Sequence, residues 1–434
     1  MLSKLLIRGA TILTMEGPDA IIETGEILME DGWITHVGLP GSAPGYFDMD
    51  EVIEADGEVA MPGFVNCHTH AAMTLLRGYA DDMSLMPWLS EKIWPFEDRL
   101  TGEDVYWGTM LACLEMIKSG TTCFGDMYFF MDHVARAVEK SGIRAVLARG
   151  MVGVAPTGAA ALTESEELVK NWNGKADGRI TAMLGPHAPY TCPPDYLGKV
   201  MDLAAKLKVG VHIHVAETRT EYDDMLKQYG KTPVQHLDSL GLFKLPVLAA
   251  HCVHLDQEDM EILAQKAMGI AYNPQSNMKL ASGIAPMAKL LDLGATVGIG
   301  TDGTSSNNNL DMLEELRAGS YLQKVGTMNP EVLPAYRTLQ MATIDGALCM
   351  GLGDRVGLIK EGMRGDIILV DIKQPHMCPQ HNLVANLAYA ANCGDVRTVI
   401  IDGKLVMLDG AVLTMDEEKV MAEAQERAMR LAGK

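Results

Sequence analysis

The chain has 434 residues, 48% hydrophobic and 21% charged, so it has a globular composition and enough length for a large buried core. Its formal net charge of -21 argues against nucleic-acid binding, because an acidic surface repels a phosphate backbone. No apolar run reaches membrane-spanning length, and the eight scattered cysteines lack any Cys-x-x-Cys pair. We therefore expect a soluble cytoplasmic protein with reduced thiols that acts on a small molecule and has no nucleic-acid or membrane partner.

Alternating apolar and polar residues at both ends of the chain predict short antiparallel strands. These strands lie in residues 4–14, 25–38, 366–371 and 396–413. Turns are predicted at Gly17-Pro18, Asp31-Gly32, Asp402-Gly403 and Asp409-Gly410. We expect the two ends to form one small β-sandwich domain over residues 1–56 and 361–434, with a helix at the C-terminus.

Strands and helices alternate through the body of the chain, residues 57–360. Its first strand is the apolar run Val59–Val65, which leads into His68 and His70. Further strands are predicted at Thr121–Gly125, Arg144–Arg149, Arg179–Leu184, Val209–Val215, Pro246–Ala250, Gly269–Tyr272 and Thr296–Gly300. Helices are predicted at Glu103–Lys118, Asp132–Glu139, Ser165–Trp172, Tyr196–Leu207, Glu221–Tyr229, Gln257–Lys266 and Ile284–Leu291. This pattern predicts an α/β protein with a (β/α)8 TIM-type barrel; a doubly wound sheet is the alternative, but no phosphate-binding loop supports it.

Titratable residues follow the predicted strands, at the end of a barrel where active sites lie. They are His68, His70, Asp126, Arg149, His187, His214, Glu217, His251 and Asp302. The convergence of so many such residues on one rim predicts a catalytic site there.

A metal site is predicted from four of these residues. His68 and His70 would share one face of a strand, although two histidines in a polar loop are the alternative explanation. His214 and Asp302 would complete a set of three imidazoles and one carboxylate, which suits Zn2+, with Fe2+ as the alternative. His212 shares the face of His214 but lies farther from the strand end, so we expect it to support the ligands or belong to the core.

One metal ion per subunit is expected. A binuclear site on such a barrel needs a bridging carboxylate, usually a carbamylated lysine, and no lysine lies near His187 at the end of the fourth strand.

A bound divalent ion lowers the pKa of its water from about 16 to about 7. His251 and Asp302 are candidates to accept the proton of that water, and Glu217 is a candidate to deliver a proton. A helix-capping or surface carboxylate is the alternative interpretation of Glu217.

These residues resemble the amidohydrolase superfamily, and more narrowly the 5-methylthioadenosine/S-adenosylhomocysteine deaminases, over essentially the whole chain. The resemblance depends on the motifs Pro62-Gly-Phe-Val-Asn-Cys-His-Thr-His70, Pro87-Trp-Leu-Ser-Glu-Lys-Ile-Trp-Pro-Phe-Glu97, His214-Val-Ala-Glu217, Ala250-His-Cys-Val-His254, Asn273-Pro-Gln-Ser-Asn277 and Gly300-Thr-Asp-Gly-Thr-Ser-Ser-Asn-Asn308. Many amidohydrolases share the first and last motifs, whereas the motif that ends at Glu97 is much narrower.

The resemblance also implies a role for each matching residue. Metal ligation is implied for His68, His70, His214 and Asp302. Glu97 is expected to bind the ribose hydroxyls, His187 and Ser306 to contact the purine, and Glu217 to meet ring nitrogen N1. Arg149 resembles the arginine that faces the distal tail of the substrate.

Two other arginines, Arg144 and Arg136, are alternatives for the contact with the distal tail. For Glu97, a carboxylate at a helix start is the alternative interpretation.

The implied reaction is hydrolytic deamination of the adenine ring of 5′-methylthioadenosine and S-adenosylhomocysteine, with adenosine and 5′-deoxyadenosine as further candidates. A metal-bound hydroxide would attack C6, Glu217 would protonate N1, and ammonia would leave an inosine analogue. Guanine, 8-oxoguanine or a triazine are alternative substrates, but Glu97 argues against free bases, which have no ribose. A metal-free scaffold is disfavoured because all four ligand residues are present. The 30 methionines would permit a large subunit interface, so we expect a homo-oligomer.

Overall fold

The computed structural model describes residues 3–45 and 48–433. Its strands are β1 (Lys4–Leu13), β2 (Ile21–Glu30), β3 (Trp33–Gly38), β4 (Glu51–Glu54), β5 (Glu58–Pro62), β6 (Phe64–Thr69), β7 (Thr121–Tyr128), β8 (Arg144–Met151), β9 (Ile180–Pro186), β10 (Val211–Val215), β11 (Val247–His251), β12 (Gly269–Tyr272), β13 (Val297–Ile299), β14 (Ile367–Asp371), β15 (Val396–Ile401), β16 (Lys404–Leu408) and β17 (Ala411–Val412).

The α-helices are α1 (Leu85–Trp88), α2 (Trp94–Glu97), α3 (Gly102–Lys118), α4 (Met131–Ser141), α5 (Gly158–Trp172), α6 (Pro194–Leu207), α7 (Arg219–Tyr229), α8 (Pro233–Leu240), α9 (Gln257–Lys266), α10 (Pro274–Lys279), α11 (Met287–Asp292), α12 (Met312–Thr327), α13 (Ala335–Met341), α14 (Ile344–Cys349), α15 (Leu383–Tyr389) and α16 (Glu417–Leu431). Short 3-10 turns occur at Ala71–Leu76, Leu242–Lys244, Pro375–Met377 and Cys393–Asp395, and a π-helical turn at Leu89–Ile93 joins α1 to α2. Among the described residues, none of the helices combines the length and the apolar character needed to cross a membrane.

The eight strands β6 to β13 form a parallel sheet in which each strand pairs with the next along the chain. The first and last strands meet where the N–H of Asp302, just beyond β13, donates to the carbonyl of His68 in β6 at 2.9 Å. Inside the barrel lie small and medium apolar side chains such as Cys67, Val146 and Ala250. The predicted (β/α)8 barrel is therefore confirmed.

A second, mixed sheet contains strands from both ends of the chain, as the alternating patterns predict. Its order is β17-β16-β15-β14-β5-β1-β2-β3, and β4 pairs with β1. It has an apolar core of its own, which includes Ile7, Ile27 and Ile367. The C-terminal helix α16 is joined to α3 by an ion pair of 3.1 Å between Arg427 and Asp104.

The exact domain bounds, 1–56 with 361–434 and 57–360, stay predictions. For Met1, Leu2, Tyr46, Phe47 and Lys434 that prediction lies outside the described residues.

The predicted single strand Val59–Val65 is wrong, because the chain changes sheets at Gly63. β5 pairs with β14 in the mixed sheet, whereas β6 pairs with β7 in the barrel. A Cβ atom at Gly63 would lie only 2.1 Å from Cγ2 of Thr122, so the crossing needs a residue without a side chain. The consequence for the site is that His68 lies within the first barrel strand and His70 directly follows it.

Buried charges join the mixed sheet to the barrel. Arg144, the first residue of β8, is buried and donates from Nε and Nη2 to Asp366 at 2.8 and 2.9 Å. Its Nη2 also donates to Asp402 at 3.2 Å, and Arg364 pairs with the same carboxylate. Because active sites of such barrels lie at the C-terminal strand ends, this position excludes Arg144 as a substrate contact.

Candidate active site

Four of the predicted site residues converge at the C-terminal rim of the barrel. Oδ1 of Asp302 lies 3.4 Å from Nε2 of His68 and 3.3 Å from Nε2 of His70. Nε2 of His214 lies 3.4 Å from Nε2 of His70. The buried Nε2 of His68 has no hydrogen-bond partner among the described residues. An inward-facing, unsatisfied nitrogen beside two more imidazoles and a carboxylate fits a divalent cation.

The outer nitrogen of each of these imidazoles is held by the protein. Nδ1 of His68 lies 2.8 Å from Nε2 of His212, so His212 lies directly behind His68 in the fold. Nδ1 of His70 lies 2.6 Å from the carbonyl oxygen of Met127, and Nδ1 of His214 lies 2.6 Å from that of His187. These hydrogen bonds direct the three Nε2 atoms towards one point, as in metal sites. Burial lowers the pKa of His68 to about 4, so its imidazole is neutral and can donate a lone pair.

Asp302 is held in place by three hydroxyl or amide donors. Its backbone has a positive φ of 62°, and its Oδ1 accepts the Gly303 N–H at 2.8 Å. Its Oδ2 accepts the hydroxyls of Ser276 at 2.6 Å and Ser306 at 3.1 Å. Burial opposes ionisation, but the neighbouring imidazoles of His68 and His70 hold the pKa of Asp302 well below its usual range. The carboxylate is therefore charged and fixed in orientation.

Two proton-transfer candidates, Glu217 and His251, lie beside this cluster. Nε2 of His251 is 3.9 Å from Oε2 of Glu217, and its ring stacks on His214 with centroids 5.5 Å apart. Nδ1 of His251 lies 2.9 Å from Oδ1 of Asn277, which fixes the ring. Burial raises the pKa of Glu217, whereas the charges of Glu217 and Asp302 outweigh burial and raise the pKa of His251. Both groups can therefore exchange protons in a water-poor setting.

Glu221 supports the turn that carries Glu217, and the sequence analysis did not identify this role. Its carboxylate accepts the backbone N–H groups of Ala216 at 3.0 Å and Glu217 at 2.8 Å. Burial raises its pKa to about 7. The spacing Thr218-x-x-Glu221 at the start of α7 was an available signal, since Thr218 caps the helix through the Glu221 N–H. Ser276 and Asn277 likewise belong to the motif Asn273-Pro-Gln-Ser-Asn277, but the sequence alone indicated no role for them.

The cluster opens into a cavity of about 1030 Å³ that also holds the predicted substrate residues. Its lining includes Glu97, Arg149, His187, Glu217, His251 and Ser306. Glu97, the last residue of α2, accepts a hydrogen bond of 2.8 Å from the Tyr128 hydroxyl. Burial raises the pKa of Glu97 to about 7 and lowers that of His187 to about 4. His187 is oriented by Thr191, whose Oγ1 lies 2.9 Å from its Nδ1.

Of the three arginines considered for the distal tail, only Arg149 lines this cavity among the described residues. Its Nε donates to Oε2 of Glu164 at 2.6 Å, and its guanidinium lies 5.0 Å from the ring centroid of Phe129. Arg136 instead lies over the ring of Tyr106 at 5.7 Å. Asp126, which lies within β7, accepts the Ala71 N–H at 2.7 Å and fixes the turn after β6.

The model of the amidohydrolase family matches residues 59–406 of the chain, which covers the whole barrel and the cluster. The chain belongs to the amidohydrolase family. This membership confirms the superfamily that the motifs indicate and makes a metal-dependent hydrolase the established class of the protein.

Curated relatives cover the full length. The chain is 81% identical over 433 residues to the 5-methylthioadenosine/S-adenosylhomocysteine deaminase of Desulforamulus reducens, with 100% of both chains covered. It is 63% identical to the protein of the same name from Pelotomaculum thermopropionicum, again over 100% of both chains. The narrower resemblance, to this group of deaminases, is therefore confirmed as well.

Solved structures give the same fold. An adenosine deaminase from Xanthomonas campestris with bound zinc matches with a TM-score of 0.95 and 34% identity, covering 100% of this chain and 99% of that one. The atrazine chlorohydrolase of Arthrobacter aurescens, complexed with zinc, matches with a TM-score of 0.91 over 98% and 100% of the two chains. Its identity of 23% supports the fold alone.

Proposed function

We propose that this amidohydrolase deaminates the adenine ring of 5′-methylthioadenosine and S-adenosylhomocysteine hydrolytically and releases ammonia and the inosine analogues. Adenosine and 5′-deoxyadenosine are further candidate substrates. The observation that carries the proposal is that one cavity joins the His and Asp cluster to Glu97. A nucleoside can place its purine at the cluster and its ribose diol at that carboxylate. The 81% identity to a deaminase of this name supports the same reaction.

We infer that His68, His70, His214 and Asp302 hold one divalent cation, for which Zn2+ suits the donors best and Fe2+ is the alternative. Three imidazoles and one charged carboxylate fit it, and the unsatisfied Nε2 of His68 faces the place where it would lie. When bound, such an ion acts as a Lewis acid and lowers the pKa of water to about 7. No lysine stands at the end of β9, where His187 follows, which supports a single ion.

The protein residues then bind the substrate and move protons. Glu97 accepts hydrogen bonds from the ribose hydroxyls, while His187 and Ser306 contact the purine. His251 and Asp302 take the proton of the water that attacks C6. The raised pKa of Glu217 lets this carboxyl protonate N1 as the tetrahedral centre forms. The proton held by His251 and Asp302 then passes to the amino group, which leaves as ammonia, and the hydroxyl proton on C6 returns to Glu217.

The competing substrates are guanine, 8-oxoguanine and triazines. A panel of 5′-methylthioadenosine, S-adenosylhomocysteine, adenosine, 5′-deoxyadenosine and guanine separates adenine nucleosides from guanine when loss of the ring amino group is followed by ultraviolet absorbance, as adenine-to-hypoxanthine conversion for the nucleosides and guanine-to-xanthine conversion for the base. The metal content of the same sample is measured in parallel. We expect turnover of the thioether nucleosides and none of guanine. Absence of turnover of every nucleoside by metal-replete protein would overturn the proposal.

A homo-oligomer in the cytoplasm stays a prediction from the methionine content and the cysteine usage. Among the described residues the eight cysteines are free thiols, of which Cys378 is exposed. Light scattering on the purified protein measures the oligomeric state directly.

A further inference from the structure

We propose that Glu164 sets the preference for the 5′ substituent, by acting as a counter-ion that disfavours negatively charged tails at Arg149. This inference rests on the proposed nucleoside substrate. It concerns the outer chamber, by which we mean the part of the cavity lined by Phe129, Arg149, Glu164 and Trp172. No catalytic part is assigned to Glu164 in the reaction itself.

The outer chamber adjoins the place where the ribose would lie. Tyr128, whose hydroxyl holds Glu97, is the register partner of Arg149 in the neighbouring strands β7 and β8. The Arg149 guanidinium lies over the ring of Phe129, the residue that follows Tyr128. A group attached to C5′ of a ribose bound at Glu97 therefore extends towards Arg149.

Arg149 is already engaged by Glu164, but incompletely. The pair joins Nε to Oε2 at 2.6 Å, and Nη1 donates to the Gly150 carbonyl. Nη2 makes no hydrogen bond to any residue that the structure describes, so one edge of the guanidinium remains open to a ligand. The Arg149 side chain is 11% exposed and the Glu164 side chain 50% exposed, so the carboxylate lies on the solvent side of the cation.

The charges that line the cavity make the Glu164 carboxylate important for the choice between charged and uncharged tails. Arg149 is the only Lys or Arg among the described residues that line the cavity, whereas Asp132, Glu164 and Glu167 also line it. A tail carboxylate that binds Nη2 must come close to Glu164, and two negative charges at short range repel each other. An uncharged alkyl tail meets no such repulsion and packs on Phe129.

The sequence places Glu164 on the cavity face of α5. Ala161, Glu164, Leu168 and Asn171 follow helical spacing and all line the cavity. Glu167, three residues beyond Glu164, also lines it, and the structure records no ion pair between Glu167 and Arg149. Glu167 therefore provides a matched control with the same charge on the same helix.

The test compares two adenosine thioethers of equal chain length, a 5′-S-alkyl and a 5′-S-carboxyalkyl derivative. Both present the same ring to the cluster, so the ratio of their kcat/KM values reports only the tail. We expect E164Q, which keeps an oxygen acceptor for Nε, to raise the carboxyalkyl-to-alkyl ratio about 3- to 10-fold through KM. E167Q should change the ratio less than about twofold.

A double-mutant cycle assigns the effect to the pair. In an R149Q background the carboxyalkyl substrate loses the cation that brings its carboxylate beside Glu164, so the further change E164Q should raise the ratio less than it does with Arg149 present. An unchanged or lower ratio in E164Q, or an equal rise in E167Q, would overturn the role of Glu164 while leaving the deaminase assignment intact. If the unmutated enzyme deaminates neither thioether, this result instead overturns the proposed function, and this inference with it.

Discussion

Oε2 of Glu217 lies 3.9 Å from Nε2 of His251, and both side chains border the His and Asp cluster. This arrangement predicts that Glu217→Gln retains the metal but loses about 100- to 10,000-fold in kcat, because an amide cannot deliver a proton to N1. Steady-state kinetics with 5′-methylthioadenosine, together with metal analysis of the same preparation, measure both quantities.

The control for this variant is Glu167→Gln, which removes a carboxylate from the cavity lining away from the cluster. It should keep kcat within about twofold. Normal turnover in Glu217→Gln would show that another group protonates the ring.

The hydrogen bond between His212 and His68 predicts an effect on metal affinity. His212→Phe leaves Nδ1 of His68 without its partner at 2.8 Å, so the ring loses its fixed orientation. We expect about 10- to 100-fold weaker metal binding, measured by competition with a chromogenic chelator. His254→Gln serves as the control, since Nε2 of His254 lies 2.8 Å from the Ser282 carbonyl oxygen and His254 is not part of the cluster. Equal affinities in the two variants would contradict the supporting role of His212.

Glu97 predicts a pH dependence of substrate binding. Burial raises its pKa to about 7, so the carboxylate becomes protonated as the pH falls through that value and accepts fewer hydrogen bonds from ribose. The KM for 5′-methylthioadenosine should therefore rise below about pH 7. The Glu97→Gln variant should have a high KM at every pH, without this rise at low pH. The Tyr128 hydroxyl lowers the pKa of Glu97, so Tyr128→Phe should move the midpoint to higher pH. If the rise in KM at low pH persists in Glu97→Gln, another group is responsible for the titration.

The buried charges between barrel and mixed sheet predict a large loss of stability. Arg144→Met leaves Asp366 without the partner that it contacts at 2.8 and 2.9 Å, and we expect about 3–5 kcal/mol less free energy of unfolding in urea. Lys404→Met removes an exposed ion pair of 2.9 Å with Asp177, also between sheet and barrel, and should cost about 0–1 kcal/mol. Similar losses in the two variants would show that burial does not determine the strength of this junction.

Much of the fold follows from local patterns in the sequence. The predicted strand Gly269–Tyr272 and helix Gln257–Lys266 coincide with β12 and α9, because the strand is a short apolar run and the helix has apolar residues at helical spacing and Asp256 as its N-cap. The turns at Asp31-Gly32 and Asp402-Gly403 likewise separate neighbouring strands of the mixed sheet. Residues with a strong local signal were therefore predictable.

Features that depend on tertiary contacts were not predictable. The division of the run Val59–Val65 at Gly63 depends on Thr122, which comes close only in the folded barrel. The support of Glu217 by Glu221 requires the turn conformation at Ala216, where φ is 51°. The exclusion of Arg144 from the cavity depends on Asp366, more than two hundred residues away. The ligand and substrate roles stay predictions.

The measurement that tests the central claim most directly is deamination of 5′-methylthioadenosine by metal-replete enzyme in water enriched with oxygen-18. Mass spectrometry of the product and an assay for free ammonia follow the two halves of the reaction. We predict 5′-methylthioinosine with one solvent oxygen at C6 and an equal amount of ammonia. Release of free adenine, or recovery of unchanged substrate, would contradict the account.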